Sequence, residues 1–510
     1  MKTRTRSYNA IVNSLFGILS SLVTVFLNFF VRVFIVRELG DEVNGLHNLF
    51  QNITNVMALM EMGISTAMVI HLYKPIEDGD REAIRSVMSY YRRIYLWISG
   101  AFLAVCLLFD LFFLDRIVTT DIPMWDVRLF FFVYALSFGL NYLTYHKRSI
   151  LFAEQKNRVS VLSTTVCEIV FRSLQIFTMI LWRNYLVFLI LLIFEKVISN
   201  AICTAYVNRY HPYLRSYAGA VIPAEKKKSI FDTVRPLFVN QVAGTVQKSS
   251  SSILVSKLLG NISVVGYYGN YQLVISTAEL LFSQFGAAFT SSFGNLAVEG
   301  DRERMYRAYR RATFVMNSVA VVICAGFYCC IQDFIFLIFG EHYLLDSLSV
   351  TILMVSLLIY LYDIPVISVQ NALGLHRKDE ILMVVQALAA IALGFAGGKL
   401  FGMSGILAGM ILPTVLFTFL CKGILITKTA FSKGGRRYLL FCAAELGKAF
   451  VCIAVTDRLC AWLPLSGSLA ALLVHGLIAV AVCAVLLTLF SFRSVYFREA
   501  VRMVTARFRR

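Results

Sequence analysis

The stretch Gly79-Asp80-Arg81-Glu82, followed by Tyr91-Arg92-Arg93, begins thirty-four residues after Gly45. The same arrangement occurs once more. Thirty-four residues after Gly266 come Gly300-Asp301-Arg302-Glu303 and then Tyr309-Arg310-Arg311. Upstream, Arg37-Glu38-Leu39-Gly40 has its counterpart in Lys257-Leu258-Leu259-Gly260. Each copy encloses a long apolar segment and ends in a basic stretch. Two related membrane halves in one chain is the plan of many secondary transporters, so transport is the first hypothesis.

Composition agrees with a membrane location. Hydrophobic residues make up 58% of the 510 and charged residues 15%, against about 25% charged in soluble domains. A span needs roughly 20 apolar residues. Length and flanking charge predict about fourteen spans, near 10–36, 44–72, 94–114, 127–146, 159–181, 185–208, 236–256, 264–291, 312–338, 347–373, 381–398, 404–426, 438–456 and 467–492. The expected class is an all-α polytopic membrane protein with no separate soluble domain. The first span is too long for a signal-peptide core and lacks a following cleavage site, so it is expected to stay in the mature protein. The eleven cysteines have no CxxC spacing and read as small apolar packing residues.

The net charge of +18 raises the question of nucleic acid, but its placement argues against it. Lys2, Arg4 and Arg6 precede the first span. Basic groups then follow every second span, among them Arg81 to Arg93, Lys147 to Arg158, Lys226 to Arg235, Arg302 to Arg311, Lys422 to Arg437 and Arg493 to Arg510. The alternate loops hold little beyond Arg37, Arg116, Arg183, Lys399 and Arg458. This is the positive-inside pattern, with an even number of spans and both termini cytoplasmic. Segments 81–95 and 302–314 interleave arginine with apolar and aromatic residues, as helices lying on the inner leaflet do.

Four spans carry polar stripes with a charged member. Asn13, Gly17, Ser20, Thr24, Asn28 and Arg32 recur at helical spacing in the first. The second has His47, Gln51, Thr54, Asn55, Glu61 and Ser65. The fifth aligns Thr164, Glu168, Arg172 and Gln175, and the seventh gathers Asn240, Gly244, Gln247, Lys248, Ser251 and Ser252. Small polar groups often do no more than join neighbouring helices. A mid-bilayer charge costs about 2.5–3.5 kcal/mol on insertion scales, so it faces protein or a hydrated path. The sharper reading is a hydrated cavity lined by Arg32, Arg172 and Lys248, with Asn28, Gln51, Asn55, Glu61, Glu168, Asn240 and Gln247 around it. Glu168 and Arg172 stand at i,i+4 and are placed to neutralise each other. Arg32 has no acidic neighbour at helical spacing in its span; Glu38 and Glu61 are the acids within reach. A cation in such a cavity suits an anionic group such as phosphate.

Glu279 and Asp363 are candidates for a coupling proton or sodium ion, Asp363 standing two residues before the carbonyl-freeing Pro365; a simple kink with a solvated Asp is the alternative. Glu445 and Lys448 read as an internal i,i+3 pair. Gly394, Gly398, Gly402, Gly405 and Gly409 form a small-residue series expected to pack helices closely. No metal-ligand set, nucleotide loop of the GxxxxGK[ST] type or catalytic constellation is visible.

The segment Phe29 to Tyr95 resembles the polysaccharide flippases (Wzx-type, polysaccharide transporter family) of the multidrug/oligosaccharidyl-lipid/polysaccharide flippase superfamily. The resemblance is carried by Phe29-Phe30-Val31-Arg32, Leu39-Gly40, Leu49-Phe50-Gln51-Asn52-Ile53, Glu61-Met62-Gly63-Ile64 and Leu72-Tyr73-Lys74-Pro75. Val265 to Tyr271 and Gly294-Asn295-Leu296 extend it. Relatives often have Asn-Gly where this chain has His47-Asn48, a departure at the outer end of the second helix. The resemblance implies two pseudo-symmetric six-helix bundles around a central cavity and two further C-terminal helices. In residue ranges these are a bundle at 1–208, a cytoplasmic linker at 209–235, a bundle at 236–430, and two helices with a basic tail at 431–510.

It further implies alternating access at the bacterial cytoplasmic membrane and a substrate built on a polyprenyl diphosphate, such as an undecaprenyl-diphosphate-linked saccharide. Arg32 and Glu61 fall on the family's arginine and acidic residue. Membrane lipids, a coupling H+ or Na+ and a polysaccharide polymerase are the expected partners, with no cofactor and no nucleic acid. The competing readings are a peptidoglycan-precursor flippase and an ion-coupled multidrug exporter of the same superfamily, the latter disfavoured by the arginines. A glycan polymerase or ligase would need a sizeable outer loop, and the outer loops here are short.

Overall fold

A computed structural model describes residues 3–61, 64–154, 156–217, 245–246, 249–299, 301–463 and 467–499. Its regular structure is helical throughout, with no strand among the described residues. Helices satisfy their own backbone groups, which a lipid solvent cannot do. In the first half these are α1 (Thr3–Phe34), which widens into a π turn over Ile35–Leu39, then α2 (Asp41–Met57), α3 (Ile64–Glu77), α4 (Arg81–Phe112), the single turn α5 (Leu114–Ile117), α6 (Met124–Ala153), α7 (Asn157–Trp182) and α8 (Tyr185–Tyr210). Then come α9 (249–259), α10 (Ile262–Glu299), α11 (Arg302–Phe339), α12 (Ser347–Leu373), α13 (Glu380–Pro413), α14 (Gly423–Phe431), α15 (Gly435–Ala461) and α16 (Leu469–Ser491).

The protein is an all-α polytopic membrane protein. Ten helical stretches among the described residues are long and apolar enough to cross a bilayer. One of them, Glu380–Phe431, has 52 residues and would run about 78 Å if straight, more than twice the roughly 30 Å hydrocarbon core. It breaks at Gly402, where φ is 60° and ψ −135°. Across the break a Cβ on Gly397 would stand 2.3 Å from the Gly405 carbonyl oxygen, and one on Gly409 would stand 2.2 Å from that of Leu393. The glycine series therefore lets the two arms touch backbone to backbone, as helix packing and not as a binding loop. Large apolar side chains stay exposed along whole helices, such as Leu107, Leu108, Leu111 and Phe112 on α4 and Leu473, Leu477 and Val480 on α16. Lipid is the solvent that tolerates this.

The repeated motif is a helix start. Asp80 (φ −77°, ψ 93°) accepts from the Ala83 N–H, and Asp301 (φ −81°, ψ 96°) accepts from the Arg304 N–H. Each supplies the N-cap that orphan amides at a helix start require. The helices that follow are unbroken, 32 and 38 residues long. Segments 81–95 and 302–314 are thus the first turns of spanning helices, not separate helices lying along the leaflet. Tyr91 and Tyr95 are fully buried, which packs the start of α4 against its neighbours. At about 48 Å, α4 exceeds the hydrocarbon core and projects its basic first turns beyond it. The expected second span is two helices, α2 and α3, separated by a 3-10 turn over Ala58–Glu61. The expected segment 236–256 and the linker 209–235 lie largely outside the described residues.

The chain divides into two compact units, Met1–Gly266 and Tyr267–Arg510, the boundary falling within α10. The first is centred on Phe50, Phe131 and Phe188, the second on residues such as Tyr271, Leu357 and Leu361. All eleven cysteines are free and most are buried, in keeping with packing.

Candidate functional site

In the first unit the stripes of α1 and α7 meet each other. Ser20 Oγ lies 2.6 Å from Thr165 Oγ1, and Thr24 donates to the Glu168 carboxylate. Most of the α1 stripe near its middle is thus spent on joining two helices, the plainer of the two readings.

The end of the stripe differs. Arg32 is 7% exposed, and its guanidinium donates to Asn44 Oδ1 at 2.9 Å and Asn48 Oδ1 at 3.4 Å. Asn48 in turn donates to the Val265 carbonyl at 3.0 Å, at the start of α10. Neither acid within sequence reach pairs with Arg32. Glu38 lies 3.2 Å from Arg183, and Glu61 accepts from the Tyr95 hydroxyl at 3.0 Å. Arg32 therefore keeps its full charge in a buried place, held by neutral amides.

Arg172 turns away from Glu168. Its Nε lies 3.6 Å from Glu195 Oε2 on α8, and its Nη1 donates to Gln175 Oε1 at 3.0 Å. Gln175 is fixed by donating to the Phe188 carbonyl at 3.0 Å. Glu195 is 1% exposed and is shared, since Lys196 Nζ lies 2.6 Å from its other oxygen. The i,i+4 neutralisation expected on α7 is replaced by a pair between helices, while Glu168 accepts from Thr24.

Sequence reading missed two members of this region. Arg148 on α6 donates to Asn200 at 3.0 Å, Thr164 at 2.9 Å and Ser199 at 2.8 Å. By its place in the basic run Lys147 to Arg158 it reads only as a loop charge. Glu195 has no stripe on α8 to reveal it. Among these groups, four cations (Arg32, Arg148, Arg172, Lys196) face two carboxylates (Glu168, Glu195). Arg32 and Arg172 both bear electrostatically on the His47 ring and on Tyr134. His47 Nδ1 lies 3.0 Å from the Tyr185 hydroxyl, and its ring meets Tyr134 and Phe188 edge-on. Arg32 and Arg172 thus flank one aromatic nest. The His47-Asn48 pair supplies both a wall of that nest and a partner of Arg32.

The other predicted positions are more scattered. Asn28 and Asn55 are half-buried and Gln51 is exposed. Lys248, Asn240 and Gln247 lie outside the described residues. In the second unit Glu279 is half-buried on α10. Asp363 is buried and pairs with Lys422, which stands at the end of a π-helical stretch over Thr414–Lys422. An ammonium group thus sits where a coupling cation was expected. Glu445 and Lys448 form the anticipated i,i+3 pair at 2.6 Å.

At the end of the first unit carrying the α4 cap, residues 211–217 are clamped onto the bundle. The Arg81 guanidinium lies over the Tyr213 ring, and Arg92 and Lys147 both lie over Tyr217. Glu154 takes Lys156 at 3.0 Å and His211 at 3.2 Å. Burial alone would raise this carboxyl, but the hydrogen bonds from His211 and Lys156 outweigh it and hold Glu154 below its usual range.

Residues 10–293 match the family described as Polysaccharide biosynthesis protein. The chain belongs to this polysaccharide biosynthesis protein family. The Uncharacterized membrane protein EpsK of Bacillus subtilis (strain 168) is 30% identical over 123 residues, 24% of each chain; the chain thus spans about a quarter of the curated relative it matches. Among solved structures, the Lipid II flippase MurJ in an inward closed conformation aligns over 96% of this chain and 100% of its own, with 14% identity and a TM-score of 0.68. An inward-facing multidrug resistance MATE family transporter of the MOP superfamily aligns over 79% of this chain and 94% of its own, with 14% identity and a TM-score of 0.60. These likenesses show that the chain shares its fold with both proteins.

Proposed function

We propose that this polysaccharide biosynthesis protein is a flippase that moves a polyprenyl-diphosphate-linked oligosaccharide across the bacterial cytoplasmic membrane by alternating access, for cell-surface polysaccharide synthesis. The observation that carries this reading is Arg32, a buried guanidinium held by Asn44 and Asn48 with no carboxylate of its own. A planar fork of N–H donors with uncompensated charge suits a diphosphate. Arg172, which has to share the Glu195 carboxylate with Lys196, adds to the excess, and Lys248 is proposed to join them. The prenyl tail would remain in lipid while the glycan crosses in the hydrated path. No bond is broken in such a step, so no catalytic group is required.

The undecaprenyl carrier, a coupling H+ or Na+ drawn through Glu279, cytoplasmic termini and a polymerase partner belong to the same proposal. A peptidoglycan-precursor flippase is the second reading, favoured by the alignment with the Lipid II flippase running through nearly the whole chain.

The test is reconstitution in liposomes with a lipid-linked glycan on one leaflet. Wild-type protein should deliver the glycan to the other leaflet, where an added lectin captures it. Arg32→Ala should insert equally well and fail to deliver it. Delivery at the wild-type rate would remove Arg32 from the mechanism. Depletion of the protein in cells should cause a lipid-linked saccharide to accumulate; its glycan separates the two flippase readings.

A further inference from the structure

The second unit contains a cavity of about 310 Å³ that the proposed translocation does not use. It lies among α11, α12, α15 and α16, at the ends remote from the basic starts of α11 and α15. Asp333, Asp457 and His475 line it, with Gln332, Tyr328 and Ser347.

The polar groups of this lining are unevenly satisfied. Gln332 is used up internally, donating to the Leu345 carbonyl at 2.9 Å and accepting from Tyr271. Tyr328 is within 3.3 Å of the Thr351 hydroxyl. Asp333 accepts from the Gly467 N–H at 3.1 Å, and its second oxygen lies 3.3 Å from His475 Nδ1. Asp457 makes no hydrogen bond or ion pair among the described residues. His475 is 6% exposed, and both of its ring nitrogens are buried with no hydrogen-bond partner. The carboxylate beside Nδ1 favours the proton on that nitrogen, so Nε2 is left as a bare acceptor.

The cavity thus offers two carboxylates and an imidazole lone pair. A buried acceptor without a donor costs about 1–3 kcal/mol, and an ionised carboxylate needs a counter-charge. A group with several N–H donors, positive charge and no lone pair meets all three needs, and that group is an ammonium. No cluster of three metal-holding side chains occurs among the described residues. The volume, at the lower end of the roughly 300–1,000 Å³ range of small-molecule sites, suits an organic amine better than a bare ion.

We propose that this pocket binds the ammonium group of a small amine, with Asp457 and Asp333 as counter-charges and His475 Nε2 accepting one N–H. That it opens to the outer side of the membrane rests on the orientation proposed above; binding itself does not.

The full-length chain in detergent is titrated with putrescine, with butanediol as the neutral equivalent and sodium chloride as the ionic-strength control, and thermal unfolding is followed. Putrescine should raise Tm by on the order of a few degrees, while butanediol and salt leave it unchanged. Asp457→Asn should weaken the putrescine effect about tenfold or more without lowering the unliganded Tm. Asp333→Asn serves as the second variant should Asp457→Asn not fold. Equal shifts with butanediol or salt, no shift at all, or a putrescine effect unchanged in the variants would overturn the site. None of these readouts depends on translocation, so failure here is distinct from failure of the flippase reading.

Discussion

Gly45 and Gly266, equivalent positions of the internal repeat, lie against each other. A Cβ on Gly266 would stand 3.0 Å from the Gly45 nitrogen and 2.7 Å from Asn44 Nδ2. A Cβ on Gly45 would stand 2.1 Å from the Ile262 carbonyl oxygen. The repeat thus places both glycines at one crossing, where α2 meets the start of α10. Gly45→Ala puts a methyl group into rigid backbone and should destabilise the protein by about 2 kcal/mol, within the usual cost of overpacking. Gly266→Ala meets the movable end of the Asn44 side chain first and backbone only at 3.0 Å and beyond, so it should cost less, but it displaces the asparagine that holds Arg32. Thermal unfolding in detergent should rank Gly45→Ala as the more damaging, and a translocation assay should show a clear loss in Gly266→Ala even where it folds.

How much of this was legible depends on the range of the interaction. The N-caps at Asp80 and Asp301 and the close packing of the glycine series are local rules, and the sequence carries them openly. Arg32 stood out because nothing acidic shares its helix face, and the structure keeps it apart from carboxylates. Arg172 is misread because i,i+4 spacing says only that Glu168 is near, not which way the guanidinium turns. Its partner Glu195 comes from another helix, and no periodicity marks it. The basic starts of α4 and α11 were read as interfacial because composition cannot tell an amphipathic surface helix from the projecting end of a long span. The burial of Tyr91 and Tyr95 decides that, and burial belongs to the tertiary fold.

Asn44 separates charge from position at Arg32. Asn44→Asp keeps the shape of the hydrogen-bond partner and adds a carboxylate 2.9 Å from the guanidinium. The new ion pair should leave folding intact and cancel the charge available to a phosphate. Translocation of a lipid-linked diphosphate should fall about tenfold or more, the worth of a charge-assisted hydrogen bond. Arg32→Lys keeps the charge and loses the fork, so it should fall between wild type and Arg32→Ala. Wild-type transport by Asn44→Asp would count against phosphate binding at this place.

Glu195 and Glu168 make contrasting requirements. Glu195→Gln leaves Arg172 and Lys196 without the carboxylate they share in a buried setting, a change that typically costs about 3–5 kcal/mol. Glu168→Gln keeps an oxygen able to accept from Thr24 and should cost about 1 kcal/mol or less. Yields of folded protein and Tm should therefore drop sharply for Glu195→Gln and little for Glu168→Gln. The reverse order would mean that Arg172 is neutralised along its own helix.

The clamp at Glu154 gives the fold a pH dependence whose sign follows from its contacts. The folded protein holds this carboxyl below its usual value through His211 and Lys156, whereas in the unfolded chain it titrates near 4.3. A lowered folded value means that the charged form is favoured by folding. The stabilisation is therefore fully present above about pH 4.3 and is lost as pH falls through the lower folded value. Glu154→Gln removes the titration and most of the stabilisation together. The gap in Tm between wild type and Glu154→Gln should be open at about pH 5 and should close below about pH 4. A gap that instead widened under acid would mean that the carboxyl sits neutral in the folded state, with His211 and Lys156 making no charge-assisted contact to it.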